Sequence, residues 1–148
     1  MAIADFHNDV LTSASFNNSE INFGDNKVVT ALFKGDRCFA DVVKLARYSK
    51  YIAFEDVGYL DLDIDKLIEL KPIYVGLTWN GENQFGYGCD YSFGLKRKGV
   101  ELIKILNENG IAVDTAHLSK RGFIDVLDSA EKVVNSHTCF QGVFKHTP

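Results

Sequence analysis

The chain has 148 residues, 46% of them apolar and 24% charged, with a formal net charge of −4; such a chain makes one globular domain that buries about 68–70% of its unfolded surface. Lys and Arg are spread rather than clustered, which gives no footing to a nucleic-acid or anionic-membrane surface. Cys38, Cys89 and Cys139 are widely spaced and form no CxxC, so neither a disulfide framework nor a zinc ribbon is expected, and a reducing, cytoplasmic compartment is.

The start of the chain lacks the basic and long apolar stretches of a signal peptide, and no apolar run approaches the ~20 residues that span a bilayer. "AIADFH" (2–7) reads as a first strand and the polar stretch 11–25 gives no clear helix. "NKVVTALFKG" (26–35) reads as a second strand. "FADVVKLARYSK" places Phe39, Val42, Val43 and Ala46 on one helical face. "YIAFE" (51–55) is a third strand, and "DIDKLIEL" a short helix with Asp63 as its N-cap and Pro72 past its end. "IYVGLTW" (73–79) is a fourth strand, followed by the Gly- and Asn-rich loop "NGENQFGYGCDYSFG".

The helix "KRKGVELIKILNEN" comes next, with Gly110 as its C′ residue. The basic cluster "LKRKG" at its start reads as a solvated face. "IAVDTAH" is a fifth strand. Ser119 caps "KRGFIDVLDSAE", where Phe123, Val126, Leu127 and Ala130 share a face, and "KVVNSH" is a sixth strand. The strands are continuous apolar runs alternating with helices, which suits a parallel sheet covered on both faces. A doubly wound sheet and a (β/α)8 barrel both satisfy this pattern; the lack of a Gly-rich phosphate loop after the first strand favours the barrel. Residues 1–148 then form a single, partial barrel domain with about six of the eight strands.

The metal-type residues follow these strands in an ordered way. His7 and Asp9 lie at the end of the first strand, and alternation puts both on one face. Glu55 ends the third strand, His117 follows the fifth and His137 the sixth. In a parallel barrel these positions converge on the rim where catalytic residues sit. Three imidazoles and two carboxylates suit zinc, and metal pairs about 3.5–4 Å apart activate water for hydrolysis. A single strand-end histidine is ordinarily a hydrogen-bonded structural residue; it is the joint arrangement that points to a metal site. His146 reads as a tail residue.

"ADFHNDVL", "YIAFEDVG", "YVGLTWNGEN", "GIAVDTAHLS" and "VVNSHT" resemble, in order, the metal-site segments of the membrane (renal-type) dipeptidase family of zinc peptidases. The resemblance implies a (β/α)8 barrel that cleaves dipeptides at a pair of zinc ions. It assigns His7 and Asp9 to one ion, Glu55 to a bridge between both, and His117 and His137 to the second. A hydroxide held between the ions would be the nucleophile, with Glu55 in the catalytic centre. Asp114 would stand behind the ligands and orient one of them; a strand-end surface acid is the plain alternative.

Three departures accompany the resemblance. Trp79 stands where the family often has a substrate-contacting histidine, in a version, "LTWN.EN", that is similar to a bacterial branch; Trp79 is a candidate pocket wall, and Asn80 and Asn83 are candidate substrate contacts. The stretch between Asp9 and Glu55 is short. Finally, the family's later His-x-Arg segment is matched by His146 but has Pro148 at the Arg position, and the family's later proton-transferring Asp has no counterpart, help worth about 10²–10⁴ in rate.

An open sheet also exposes strand edges. A catalytically inactive metal-binding homologue, a homo-oligomer or a half-barrel completed by a second chain is therefore the alternative expectation. A different metal-barrel hydrolase, an amidohydrolase acting on cyclic amides or esters, is disfavoured by Asp9 and Glu55, since that class usually begins with His-x-His and bridges with a modified lysine.

Overall fold

The computed structural model describes residues 2–13 and 21–138. Six strands are formed: β1 (Ala4–Asn8), β2 (Lys27–Phe33), β3 (Tyr51–Glu55), β4 (Tyr74–Gly76), β5 (Ala112–Asp114) and β6 (Val133–Val134). All neighbours pair in parallel, in the order β1-β2-β3-β4-β5-β6. That monotonic order settles the choice between architectures. A doubly wound sheet reverses its order at a switch point, whereas a barrel adds each strand beside the last. The described residues form an incomplete (β/α) barrel of the TIM type.

Four helices return the chain between strands: α1 (Phe39–Val43), α2 (Ile64–Glu69), α3 (Arg97–Glu108) and α4 (Lys120–Ser129). The expected caps are formed. The Asp63 side chain accepts from the Lys66 N–H, and the Ser119 hydroxyl accepts from the Gly122 N–H. Gly110 ends α3 in the left-handed region at φ 66°, which a residue without a Cβ adopts at little cost. The Lys96–Arg97 cluster lies at the exposed start of α3, paired with Glu82 and Glu101.

Alternation divides the core into two layers. Leu32, Phe54, Val75 and Val113 pack outward against Phe39, Leu67, Leu102, Ile103, Leu106 and Val126. The opposite, concave face carries Val29, Ala53, Tyr74 and Ala112. Glu55 follows Ala53 by two positions, so strand alternation turns its carboxylate to the concave side.

The elements differ from the sequence reading in four places. The stretch 39–50 is not one helix: α1 stops at Val43 and a 3-10 turn, Ala46–Tyr48, follows. The Leu45 N–H bonds to Val42 O and the Tyr48 N–H to Leu45 O, the tighter i→i+3 pattern that ends an α-helix. Strands four to six are shorter than read, because only the segments that meet a neighbour's backbone join the ladder. Asp9 lies beyond β1, at the start of a 3-10 turn, Val10–Thr12, with φ −88° and ψ 11°; plain strand alternation does not extend to it, and the β1 register shifts between Asp5 and Asn8. Lastly, Val126 is fully buried but Leu127 is 49% exposed. The face of α4 toward the sheet runs through Gly122 and Val126, leaving Ile124 and Leu127 on the outside. Cys139, His146 and Pro148 lie outside the described residues.

Candidate metal centre

The concave face ends in a cluster of donors at the C-terminal rim. Glu55 is 7% exposed. Its Oε2 lies 3.6 Å from His7 Nε2, and its Oε1 lies 2.8 Å from His117 Nε2 and 3.9 Å from His137 Nε2. His7 Nε2 is also 3.2 Å from Asp9 Oδ1, and the Nε2 atoms of His117 and His137 are 2.8 Å apart. The structure therefore brings together all five residues expected at the rim. Their ligand atoms form overlapping groups, each within 4.8 Å: His7, Asp9 and Glu55; Glu55, His117 and His137; and His7, Asp114 and His137.

The other nitrogen of each imidazole is held from behind. His7 Nδ1 is 2.8 Å from Tyr74 Oη. Tyr74 donates its own proton to Phe6 O at 3.1 Å, so it accepts from His7 Nδ1–H. His137 Nδ1 is 2.9 Å from Ser136 Oγ. That hydroxyl donates to Asp114 Oδ2 at 2.5 Å, so it too accepts, from His137 Nδ1–H. His117 Nδ1 is 2.8 Å from Asn80 Oδ1, an acceptor. Each ring thus sets Nδ1 against an oxygen able to accept and turns Nε2 toward the cluster around Glu55, the orientation in which proteins present histidine to a metal.

Electrostatics fit the same reading. Burial alone would raise the Glu55 carboxyl, but the His117 and His7 hydrogen bonds outweigh it and hold it down to about 2. Burial would lower the His7 imidazole, but Asp9 and Glu55 outweigh it and hold it up to about 10. Burial, then the neighbouring His7 and His117, push the His137 imidazole down. Without a metal, the proton on His7 supplies the positive charge that the carboxylates attract. A hard-to-borderline set of three imidazoles and two carboxylates fits zinc or a similar divalent ion.

Asp114 is almost fully buried and is no surface acid. It accepts from the Ala116 and Ser136 N–H groups as well as the Ser136 hydroxyl, and so fixes the strand ends that carry His117 and His137. Trp79 lines the centre, its ring centroid 5.9 Å from His117 and 5.3 Å from Phe33, with 43% of its surface exposed. The loop gives the two candidate asparagines different places. Asn83 is not placed to contact substrate: it donates to Asp56 Oδ1 and Leu77 O and accepts from the Phe85 and Gly86 N–H groups, a set of bonds that builds the loop. Asn80 is beside the centre, but its carboxamide oxygen is committed to His117. Tyr74 and Ser136 escaped sequence reasoning. Tyr74 shares the concave face with Ala53, and Ser136 directly precedes His137, but neither residue type signals a metal site by itself.

Fold and donor cluster together define a metal-site (β/α) barrel. The chain belongs to the membrane dipeptidase family, peptidase family M19, whose family model matches residues 41–148. That match takes in Glu55, His117 and His137, while His7 and Asp9 precede it. Among solved structures, a metallo peptidase from Rhodobacter sphaeroides liganded with a phosphinate mimic of the dipeptide L-Ala-D-Ala is similar with a TM-score of 0.73 at 15% identity, over 97% of this chain and 66% of that one. The dipeptidase AC, a metallo peptidase of family M19, has a TM-score of 0.69 at 18% identity, over 96% and 64%. An amidohydrolase from Pseudomonas aeruginosa has a TM-score of 0.71 at 18% identity, over 81% and 47%. The chain thus spans about half to two thirds of the length of these structures. No curated protein matches it significantly. No helix among the described residues is long and apolar enough to cross a membrane.

Proposed function

We propose that this chain carries the metal centre of a zinc-dependent dipeptidase, with His7 and Asp9 holding one ion, His117 and His137 a second, and Glu55 shared between them. The observation that carries the reading is the division of Glu55: one carboxylate oxygen faces His7 and the other faces His117 and His137. Family membership supplies the substrate class, a dipeptide.

Bound divalent ions at such a centre supply Lewis-acid activation of water and of the scissile carbonyl. The chain's own residues supply the setting. Glu55 stays ionised far below neutral pH and keeps a fixed negative charge between the histidines. Tyr74, Asn80 and the Asp114–Ser136 pair hold each ring with Nε2 inward. Trp79 offers an exposed aromatic wall beside His117, against which a substrate side chain packs.

The test is elemental mass spectrometry of the purified chain, followed by hydrolysis assays on a dipeptide series that includes a D-residue on the C-terminal side. Zinc uptake with dipeptide cleavage is the expected result. Zinc uptake without cleavage would leave a metal-binding but non-catalytic chain, and no uptake would overturn the reading.

A further inference from the structure

We propose that Phe33 and Trp79 form a two-ring subsite beside the metal centre, and that it selects dipeptides carrying a large, neutral, apolar side chain, an aromatic one above all. The proposal deepens the dipeptidase reading and rests on it.

Phe33 is the last residue of β2 and stands in register with Glu55 on β3. Register neighbours in a parallel sheet share a face, so Phe33 rises from the concave side next to the shared carboxylate. Its ring centroid lies 5.3 Å from that of Trp79, which in turn lies 5.9 Å from that of His117. The two rings therefore make one wall, running from the Glu55 side of the centre to the His117 side. Among the described residues, neither ring is packed into either core layer. Phe33 is half-buried and Trp79 is exposed. A dipeptide held at the donor cluster has its side chains within about one residue's length of this wall, and covering the rings removes apolar surface from water.

The wall is held in place by two glycine turns. Gly35, at φ 50°, turns the chain beside Phe33, and a Cβ there would lie 3.7 Å from Phe33 Cε1. A Cβ on Gly88 would lie 1.8 Å from Trp79 O, so only glycine lets the loop close on the Trp79 backbone. Rings already fixed cost little further ordering when a ligand seats on them. Charge narrows the choice of ligand. Lys34 Nζ donates to Gly35 O at 3.1 Å, and the Arg37 guanidinium comes within 3.5 Å of the same Cβ position. Both cations border the Phe33 edge, where an ammonium side chain meets like charge. A carboxylate side chain meets the ionised Glu55 instead. A neutral ring meets neither penalty.

The chain has one tryptophan, so Trp79 emission reports on the wall without a label. The test titrates the zinc-loaded chain with dipeptide phosphinates in which each side-chain position in turn is methyl, benzyl, carboxyethyl or aminobutyl. The benzyl mimic is expected to change Trp79 emission and, at one of the two positions, to bind about 10-fold or more tighter than the methyl mimic. Phe33→Ala should bring the benzyl mimic down to the methyl level. Phe33→Leu, which keeps an apolar side chain, should retain part of the preference. Zinc content read on the same samples separates loss of the wall from loss of the centre. Equal affinity for methyl and benzyl, tightest binding of a charged mimic, or a benzyl preference that survives Phe33→Ala would overturn the inference while the dipeptidase reading stands. A chain that takes up no zinc, or takes up zinc and binds no mimic, would overturn that reading and the inference with it.

Discussion

The rings of His7 and His137 lie 4.1 Å apart, centroid to centroid, although they follow the two edge strands of the sheet. β1 and β6 share no ladder. The sheet curls so that its far edges face one another across the concave side, and the C-terminal ends of the strands gather there. Glu55, on the third of six strands, fills the space between them. Convergence of the donors is thus a consequence of barrel curvature already present in six parallel strands.

That geometry makes Glu55 the residue on which metal content depends most. Glu55→Gln keeps the shape but removes the shared negative charge from a nearly buried position. Zinc content measured by elemental mass spectrometry should fall in this variant, and under the proposed two-ion arrangement both would be affected, because one oxygen faces His7 and the other faces His117 and His137. A variant that retains its full zinc content would show that the histidines and Asp9 suffice.

Metal binding should depend on pH through His7. Its imidazolium, favoured by Asp9 and Glu55 over the opposing effect of burial, persists up to about 10. A cation needs the neutral Nε2 and must displace that proton. Zinc affinity is therefore expected to climb as pH rises toward about 10, with proton release on binding. Titration calorimetry in buffers of different ionisation enthalpy reads the released proton directly; a buffer-independent heat would contradict it.

The Asp114–Ser136 pair offers a test of support at a distance from the ions. Ser136→Ala removes the acceptor for His137 Nδ1–H and leaves a buried carboxylate oxygen without its hydroxyl partner. Losing such a partner typically costs about 10–100-fold in metal affinity. The expectation is a weaker zinc phase assigned to His137, with the His7 phase retained, measured by competition with a chromophoric chelator.

Much of this was legible in the sequence. Continuous apolar strands, the Asp63 and Ser119 caps and the Gly110 stop are local signals, and each was realised. The donors at the strand ends were legible because strand-end position in a parallel fold is itself a spatial coordinate. What stayed hidden were contacts made across the fold. Tyr74 reaches His7 over a separation of 67 residues, and Asn80 reaches His117 over 37. Asn80 and Asn83 look alike in "WNGEN"; only the folded loop shows that one faces a ring and the other its own backbone. Leu127 shares a helical face with Phe123, Val126 and Ala130, but period 3.6 marks a stripe and not its width. The structure buries the stripe through Val126 and leaves its neighbour outside.

That last distinction is measurable. Leu106 on α3 is fully buried among the helix-facing core residues, whereas Leu127 on α4 is half exposed. Truncating a buried leucine removes transfer free energy and leaves a cavity, so Leu106→Ala should cost about 2–5 kcal/mol. Leu127→Ala removes contacts that are already shared with water and should stay within about 0.5 kcal/mol of wild type. Urea unfolding followed by circular dichroism distinguishes the two. A Leu127→Ala cost comparable to that of Leu106→Ala would mean that, in solution, another surface covers this face of α4. The apolar Ile124 and Val133 are exposed as well, so the same experiment repeated over a range of protein concentrations would show whether that surface belongs to a second copy of the chain: self-association would make the cost of Leu127→Ala grow with concentration, while a folded monomer would give a constant value.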